Sequence, residues 1–566
     1  MKTTELLESY DKAPPLSLCD LLLTKEEQEL HRCAMVHIIL RIIITYGGER
    51  FSKFRDNIHK TLPVTSEQIP VSKTTIYPLP TMDIDESSTR GNADVVDAIF
   101  TELKHDLNSA DFFGTVHPTN GDQLSIARLR GSSNDCIGHH SLRQSYLNLS
   151  PANGFFHGEL HLAFGTLETH FGNPSLGPHD PGSLCFHNTV LDRKPIVLSS
   201  LPPYRTCRDL VFTSLYARVL HCLKLLSRQT LQDYTEDLTF ERLQVDAEAL
   251  FDKFANSPIV DRLCAERAAA DSNTDSNITQ PLCRDMVFEN AILTMRDSFI
   301  MREFTDAVEA GDSRQIIICL KNLALFYRGC GHTKYAFEML VLIHHLTHIW
   351  PKPLRTIIIK NWLMNPTGRP NSFVLVDLLQ EHMNFWIKLK AVAPPLAMQI
   401  NEKLGFKQGS KHHASDLTVD IRELMKSLRR HHVYEQQPGR TIEGVKVTVP
   451  DVLIAGLQGL KKPLDDYNSL FLRLRARRRV QPLITDGWKA PRMQAHAAVD
   501  IATIALSALD ADSISLAKDA FSISDDSSAS ERKDDESLAD FVVDGTHEEE
   551  FRCSIDTEAD VELDLD

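Results

Sequence analysis

A helical repeat runs through most of this chain and limits its fold more than any other feature. From about residue 138 to residue 405, nearly every segment places apolar residues three or four positions apart, as in "CRDLVFTSLYARVLHCLKLLSRQ" and "RQIIICLKNLALFY". That spacing is typical of amphipathic and buried α-helices. Upstream, "TKEEQELHRCAMVHIILRIIITYGG" predicts a helix that begins after Thr24 and ends at Gly47. We therefore expect a mainly α fold.

The segments before residue 138 contain the only stretches that favour extended chain. Residues 61–90 hold four prolines and no helical period, and "FFGTVHP" could form a strand after a helix over 92–107. The next motif, "GDQLSIARLRG", begins another helix. We expect a small α/β portion within residues 14–135, followed by a helical body over 136–495.

Two polar segments mark boundaries. Residues 268–281, "AAADSNTDSNITQP", lack periodicity and predict a linker inside the body. Residues 501–566 hold 20 acidic and 4 basic residues, so 57 of the 77 acids and 57 of the 61 bases lie before residue 501. The net charge of -16 therefore comes from the tail alone. With so little apolar surface to bury, residues 500–566 are expected to be disordered.

Composition excludes several protein classes. The 11 cysteines form no CxxC pair, and the first residues lack the apolar core of a secretory signal, which predicts a reduced protein of the nucleus or cytoplasm. The run "AMVHIILRIIITYG" is interrupted by His37 and Arg41 and is shorter than the ~20 residues that span a bilayer, so we expect no membrane segment. The sequence does not indicate an oligomeric state.

Asp122, in "GDQLSIARLRG", is the first candidate site residue. An aspartate at this position can cap the helix that follows by accepting backbone N–H groups. A carboxylate at the end of a strand can instead hold a cation beside a phosphodiester. Both interpretations remain open.

A second pair of acids lies in "SFVLVDLLQEHMNFWIKLK". Asp377 and Glu381 share one helical stripe with Asn384 and Lys388, opposite an apolar stripe that contains Leu379. Such a polar stripe can be a solvated face. It can also hold Mg²⁺ or Mn²⁺, which prefer oxygen ligands.

Histidine pairs offer a weaker metal hypothesis. His157 and His161, like His344 and His348, stand four residues apart, but neither pair matches the HExxH zinc motif. For the second pair, which lies in a helix apolar nearly all round, we expect buried, hydrogen-bonded histidines. A zinc protein is the third alternative.

A basic helix is predicted near the end of the body, in "DDYNSLFLRLRARRRV". Tyr467, Leu470, Phe471 and Leu474 form an apolar stripe that would dock on the body. The helix also carries more positive charge than the end of a helix requires. Its arginines could bind DNA, a protein partner or the acidic tail. The candidate nucleic-acid-binding residues are Arg473, Arg475, Arg477, Arg478 and Arg479.

The order of motifs also resembles a known family. The motifs "PPLSLCDLLLT", "YPLPTMDIDESSTRGN", "GDQLSIARLRG", "GFFHGELHLAF", "HDPGSLCFHNTVLDRKP", "NWLMNPTGRPNSFVLVDLLQEHMNFWIK" and "PGRTIEGV" cover roughly residues 14–495. They resemble a domain of unknown function that is expanded in mushroom-forming fungi.

That family is similar to transposase-derived proteins with an RNase H-like core. The resemblance implies that Asp122 matches the second acid of the catalytic triad and Glu381 the third, with the helical residues between them as an insertion. Asp377 is a further candidate metal ligand because it shares the polar stripe of Glu381. The first acid, in a strand motif upstream of "PPLSL", has no counterpart here. We therefore expect an N-terminally truncated, degenerate copy that is not an enzyme. If active, it would cut or join DNA with Mg²⁺ or Mn²⁺. The alternative is a helical scaffold that binds protein or nucleic acid, modulated by its acidic tail.

Overall fold

The computed structural model describes residues 1–479 except 64, 87, 137–144, 273–284, 382–415 and 443–448. The described chain is mainly α, as predicted. In chain order its α-helices are α1 (Thr3–Lys12), α2 (Leu18–Leu21), α3 (Lys25–Tyr46), α4 (Thr89–Glu102), α5 (Ala110–Gly114), α6 (Gln123–Cys136), α7 (Phe156–His170), α8 (Leu184–Val190), α9 (Tyr204–Ser227), α10 (Leu231–Tyr234), α11 (Phe240–Phe254), α12 (Ser257–Ser272), α13 (Met286–Ala310), α14 (Ser313–Gly329), α15 (Thr333–His344), α16 (Lys352–Asn361), α17 (Thr418–Arg430), α18 (Val452–Gly459) and α19 (Lys461–Arg479).

The described strands form two small sheets. Strands β1 (His117–Gly121) and β2 (Leu149–Asn153) are parallel, with His117 opposite Leu149 and Gly121 opposite Asn153. Strands β3 (Leu363–Met364) and β4 (Val374–Leu375) form an antiparallel pair. Because β1 and β2 are parallel, their carboxyl ends lie at one edge, from which α6 and α7 begin.

The main core is built around α13, which is buried on all sides. Asp285 caps this helix by accepting the N–H of Phe288, and residues from Met286 to Val308 are almost all buried. A helix buried all round needs apolar neighbours on every face, and α3, α7, α9, α11 and α14 supply them. Helix α9 is long and apolar enough to cross a membrane by length and composition, but 78% of its most apolar window is buried in this core.

Helices α14 and α18 cross with their backbones in contact. A Cβ added to Gly456 would lie 1.9 Å from the carbonyl oxygen of Leu325, and one added to Gly329 would lie 1.8 Å from that of Val452. Only glycine permits so close an approach at either position.

A second, smaller core lies in the corner formed by α4, α5, α6, β1 and β2. Phe100, Phe112, Leu129 and Leu149 form a buried cluster separate from the main one. We refer to these five elements as the α/β corner and to the helices packed around α13 as the body.

Two local predictions in the α/β corner are wrong. Helix α4 spans 89–102 rather than 92–107, because Ser88 caps it and Lys104, at φ 60°, ends it. The "FFG" part of "FFGTVHP" is helical, since Ser109 caps α5 by accepting the N–H of Phe112. The strand begins only at His117.

The predicted linker and tail fall largely outside the described residues. Helix α12 continues to Ser272, so the first five residues of 268–281 are helical. The remaining linker residues and residues 500–566 are not described. The main core contains Leu263 and Met286, which lie on either side of this segment.

Candidate functional site

Asp122 lies directly after β1 and caps α6. Its Oδ1 accepts the backbone N–H of Ser125 at 2.7 Å. A strand that turns directly into a helix leaves the first N–H groups of that helix without partners, and a side-chain carboxylate there satisfies one of them. The capping role proposed from sequence is therefore present.

His157 and Glu381 approach each other at the carboxyl ends of β1 and β2. His157 lies in the first turn of α7, which follows β2. Its Nε2 is 3.8 Å from Oε1 of Glu381, which belongs to the helical residues 376–381 after β4. The His157 side chain is 13% exposed and that of Glu381 is 41% exposed, so the pair faces solvent mainly through the carboxylate.

Asp377 fixes the segment that carries Glu381. Its Oδ2 accepts the N–H of Phe156 at 2.8 Å, at the start of α7. Gly154 leaves the space for this contact, because a Cβ there would lie 2.4 Å from Cγ of Asp377. The other oxygen of Asp377 is buried and accepts no hydrogen bond from any residue that the structure describes.

The charges of these groups act on one another. Burial lowers the pKa of His157, but Glu381, Asp377 and Asp122 together raise it above its ordinary value. Burial raises the pKa of Asp377 above its ordinary value. The N–H of Phe156 and the charge of His157 lower this pKa, but by less than burial raises it. Asp122 and Glu381, 259 residues apart in sequence, therefore influence the same imidazole.

The predicted polar stripe is only partly solvated. Asp377 is 5% exposed and faces the start of α7, whereas Leu379, on the predicted apolar face, is buried as expected. The expectation of a solvated face is wrong for Asp377, because the open N–H of Phe156 provides a buried partner. Asn384 and Lys388 lie outside the described residues.

The described part of the chain holds no group of three or more His, Cys, Asp or Glu side chains that could bind a metal ion. The metal-binding role of Asp122, Asp377 and Glu381 therefore stays a prediction. Of the predicted residues, Glu381 lies 3.8 Å from His157, Asp377 binds the N–H of the neighbouring Phe156, and Asp122 follows the strand beside them.

The basic helix α19 docks on α1, as its apolar stripe predicts. Tyr467, Phe471 and Leu474 are buried. Arg475 turns back to donate to the carbonyl of Ala13 at 2.9 Å, and Arg478 stacks 3.9 Å from the ring centre of Tyr10.

The other arginines of α19 lie further out. Arg473 is half-buried and Arg477 is exposed, while the side chain of Arg479 is not described. Two of the five candidate DNA-binding arginines thus contact the N-terminal part of the chain, which leaves less of the predicted positive surface for DNA.

The second histidine pair serves the packing of the body. His344 binds the hydroxyl of Tyr467 through Nδ1 at 2.7 Å and the carbonyl of Pro14 through Nε2 at 2.8 Å. Burial lowers its pKa to about 4. His348 lies 3.0 Å from Oδ1 of Asp20. His344 agrees with the expectation of a buried, hydrogen-bonded histidine, whereas His348 is half-buried.

Sequence reasoning did not connect His157 with the acids. It treated His157 only as a partner of His161, because "LSPAN" was included in the helical body. Recognition of β2 would have placed His157 at the carboxyl end of a strand, beside Asp122.

A family model covers most of this structure. The model of a family of unknown function, DUF6589, matches residues 10–405. The chain belongs to the DUF6589 family. The match spans α2 to α16 and all four acid and histidine positions of the site, so the site lies within the shared part of this DUF6589 protein. No curated protein and no solved structure matches the chain.

Proposed function

We propose that this DUF6589 member is a degenerate, transposase-derived protein whose former strand-transfer site is the carboxyl end of the β1–β2 pair. In open parallel sheets, ligands bind outside the carboxyl ends of the strands. Asp122 follows β1, His157 follows β2, and Glu381 comes from a distant segment that Asp377 fixes in place. The observation that carries the proposal is that Glu381 lies 3.8 Å from His157 at the strand ends where Asp122 caps α6.

The described geometry supports a reduced rather than a complete site. One oxygen of Asp122 is occupied by the N–H of Ser125, and one oxygen of Asp377 by that of Phe156. No three ligands converge among the described side chains, so the residues do not fit a complete metal centre. We assign no strand-cleavage step to this site.

A nicking assay tests the loss of activity. Supercoiled plasmid is incubated with the purified full chain and Mg²⁺ or Mn²⁺, beside the Asp122→Ala variant. We expect no nicking above the buffer control from either protein. Nicking by the wild type that Asp122→Ala abolishes would show an active enzyme and contradict the degenerate assignment.

A cation-binding experiment tests whether the acids are a remnant site at all. Mn²⁺ binding to the full chain is followed by electron paramagnetic resonance. We expect weak binding that Glu381→Gln reduces and Glu26→Gln leaves unchanged, since Glu26 is an exposed acid at the start of α3. Equal binding by the wild type and Glu381→Gln would remove the support for a former metal site.

A second candidate function is a scaffold that binds nucleic acid through α19. The exposed Arg477 and half-buried Arg473 favour it, because they lie on a helix that Arg475 and Arg478 anchor to the body. Residues 501–566, with 20 acids and 4 bases, could compete with DNA for these arginines.

Deletion of residues 501–566 tests the scaffold function. Fluorescence anisotropy of a labelled DNA duplex should show tighter, salt-sensitive binding by the shortened chain, and Arg477→Gln should weaken it. Unchanged affinity after the deletion would argue against this function.

A further inference from the structure

A cavity of about 110 Å³ lies where α1, α6, β2, α15 and α19 meet. Its walls are mainly apolar and include Leu129, Leu149, Phe337, Val341, Phe471 and Leu474. It lies along the first residues of β2, whereas the acids and His157 lie beyond the end of that strand. The cavity is therefore separate from the candidate site.

An arginine that pairs with no acid of the described residues lines this cavity. The guanidinium of Arg478 lies over the ring of Tyr10, and its Nε is buried without a hydrogen-bond partner among the described residues. No carboxylate of the described chain forms an ion pair with Arg478. Burial lowers the pKa of this arginine, while Tyr10 and Tyr467 raise it. Arg478 as a whole is half-buried, and partial burial of a cation without a counter-charge is unfavourable, so an anion that reached it would be stabilised.

Two more polar atoms on the cavity wall lack partners among the described residues. They are Oγ of Ser150, in β2, and Nε of Arg130, in α6. The Nη atoms of Arg130 already bind both oxygens of Glu338, so its charge is compensated. The cavity wall thus offers hydrogen-bond donors and one positive charge that no described residue compensates.

We propose that this cavity binds a small monoanion with an apolar body, of the size of an aromatic or short-chain carboxylic acid. The carboxylate would pair with Arg478, and the apolar body would pack among Val341, Phe337 and Leu474. A single charge on the ligand matches the one arginine of the wall that pairs with no described acid. The cavity is smaller than an apolar cavity of about 150 Å³ that holds benzene, so it encloses at most part of one ring and the rest of the ligand stays outside it.

Benzoate is the probe, with benzyl alcohol as an uncharged compound of similar shape. Calorimetric titration of the full chain at pH 7 should show saturable binding of one benzoate. Arg478→Gln should weaken benzoate binding about tenfold or more, because it removes a charge-assisted hydrogen bond, and should leave benzyl alcohol binding unchanged. The matched control is Arg477→Gln, which alters the exposed neighbour and should change neither affinity.

A second variant tests the cavity without altering its charge. Leu470→Trp adds volume at a partly buried position of the cavity wall and should abolish binding of both compounds. Circular dichroism confirms that each variant retains its helices. The proposal is overturned if the wild type shows no saturable benzoate binding, if Arg478→Gln binds benzoate as well as the wild type, or if Arg477→Gln weakens binding equally.

Discussion

The body and the α/β corner differ in how their charged side chains are paired. In the body, Asp297 binds His170 at 2.8 Å and Arg296 at 2.8 Å, and Arg296 also binds Asp451 at 2.9 Å. At the edge of the corner, the imidazole of His157 lies 3.8 Å from Glu381, and Asp377 accepts the N–H of the neighbouring Phe156. Charges in the body therefore hold helices together, whereas the acids at the strand ends form no ion pair with an arginine or lysine of the described residues. This difference is why we assign the function to the strand ends.

The largest expected effect comes from breaking the buried network of the body. Asp297→Ala leaves Arg296 and His170 without their shared partner in the core, and should lower the free energy of unfolding by about 3–5 kcal/mol. Urea denaturation followed by circular dichroism measures the loss. Asp94→Ala, which removes an exposed acid in an i,i+4 pair with Arg90, should cost under about 1 kcal/mol. Equal losses would show that the buried network is not structural.

A smaller loss is expected where two helices of the body touch. Gly456→Ala places a Cβ 1.9 Å from the carbonyl oxygen of Leu325, so α14 and α18 must separate. We expect a loss of about 1–3 kcal/mol in the free energy of unfolding, which is typical of overpacking. Gly131→Ala is the control, because a Cβ there meets no atom within 4 Å. A Gly456→Ala protein as stable as the wild type would contradict the close crossing.

Asp377 should tolerate the loss of its charge better than Asp297. Burial raises the pKa of both carboxyls, but Arg296 and His170 bring that of Asp297 below its ordinary value, whereas that of Asp377 stays raised. The stabilisation by Asp297 is thus present above about pH 4 and is lost as the pH falls through its folded pKa. Asp377, by contrast, favours folding most when protonated, and this contribution is lost as the pH rises.

The Asp→Asn substitutions at both positions measure this contrast. At pH 7, Asp377→Asn should change the free energy of unfolding by less than about 1 kcal/mol, since the amide oxygen can still accept the Phe156 N–H. Asp297→Asn should cost several times more. Denaturation of both variants at pH 7 measures the two losses in the free energy of unfolding. Equal losses would contradict the assigned charge states.

The smallest expected effect is the pH dependence due to His157. Because its folded pKa is raised, the imidazolium stabilises the fold below about pH 6.5, and this contribution is lost as the pH rises through the folded pKa. His157→Gln should therefore cost more at pH 5 than at pH 9, by up to about 1 kcal/mol. The same substitution at the exposed His59 is the control. A cost independent of pH would show that the acids do not act on His157.

Local signals in the sequence predict a helix correctly where the helix has its own capping residue and an apolar stripe. Thr24 accepts the N–H of Glu27 and α3 ends before Gly47, as predicted. The apolar stripe of α19 also lies against the body as predicted. Capping and helical periodicity depend on residues within one or two turns, so they can be recognised without knowledge of the fold.

The strand ends were harder to predict, because their structure depends on distant contacts. The β2 sequence "LSPAN" has no β-branched residue, and it is extended because it pairs with β1. The burial of Asp377 depends on the N–H of Phe156, 221 residues away. Sequence and family resemblance selected Asp122, Asp377 and Glu381, but His157 emerged only from the tertiary structure.

The titration of His157 tests most directly whether Glu381 and the other acids act on this one imidazole. Nuclear magnetic resonance of ¹³C-labelled histidine, with the His157 signal assigned by its loss in His157→Gln, gives the pKa. We predict a pKa above about 6.5 in the wild type, a lower value in Glu381→Gln, and no change in Glu26→Gln. A wild-type pKa at or below 6.5 that Glu381→Gln leaves unchanged would contradict the account.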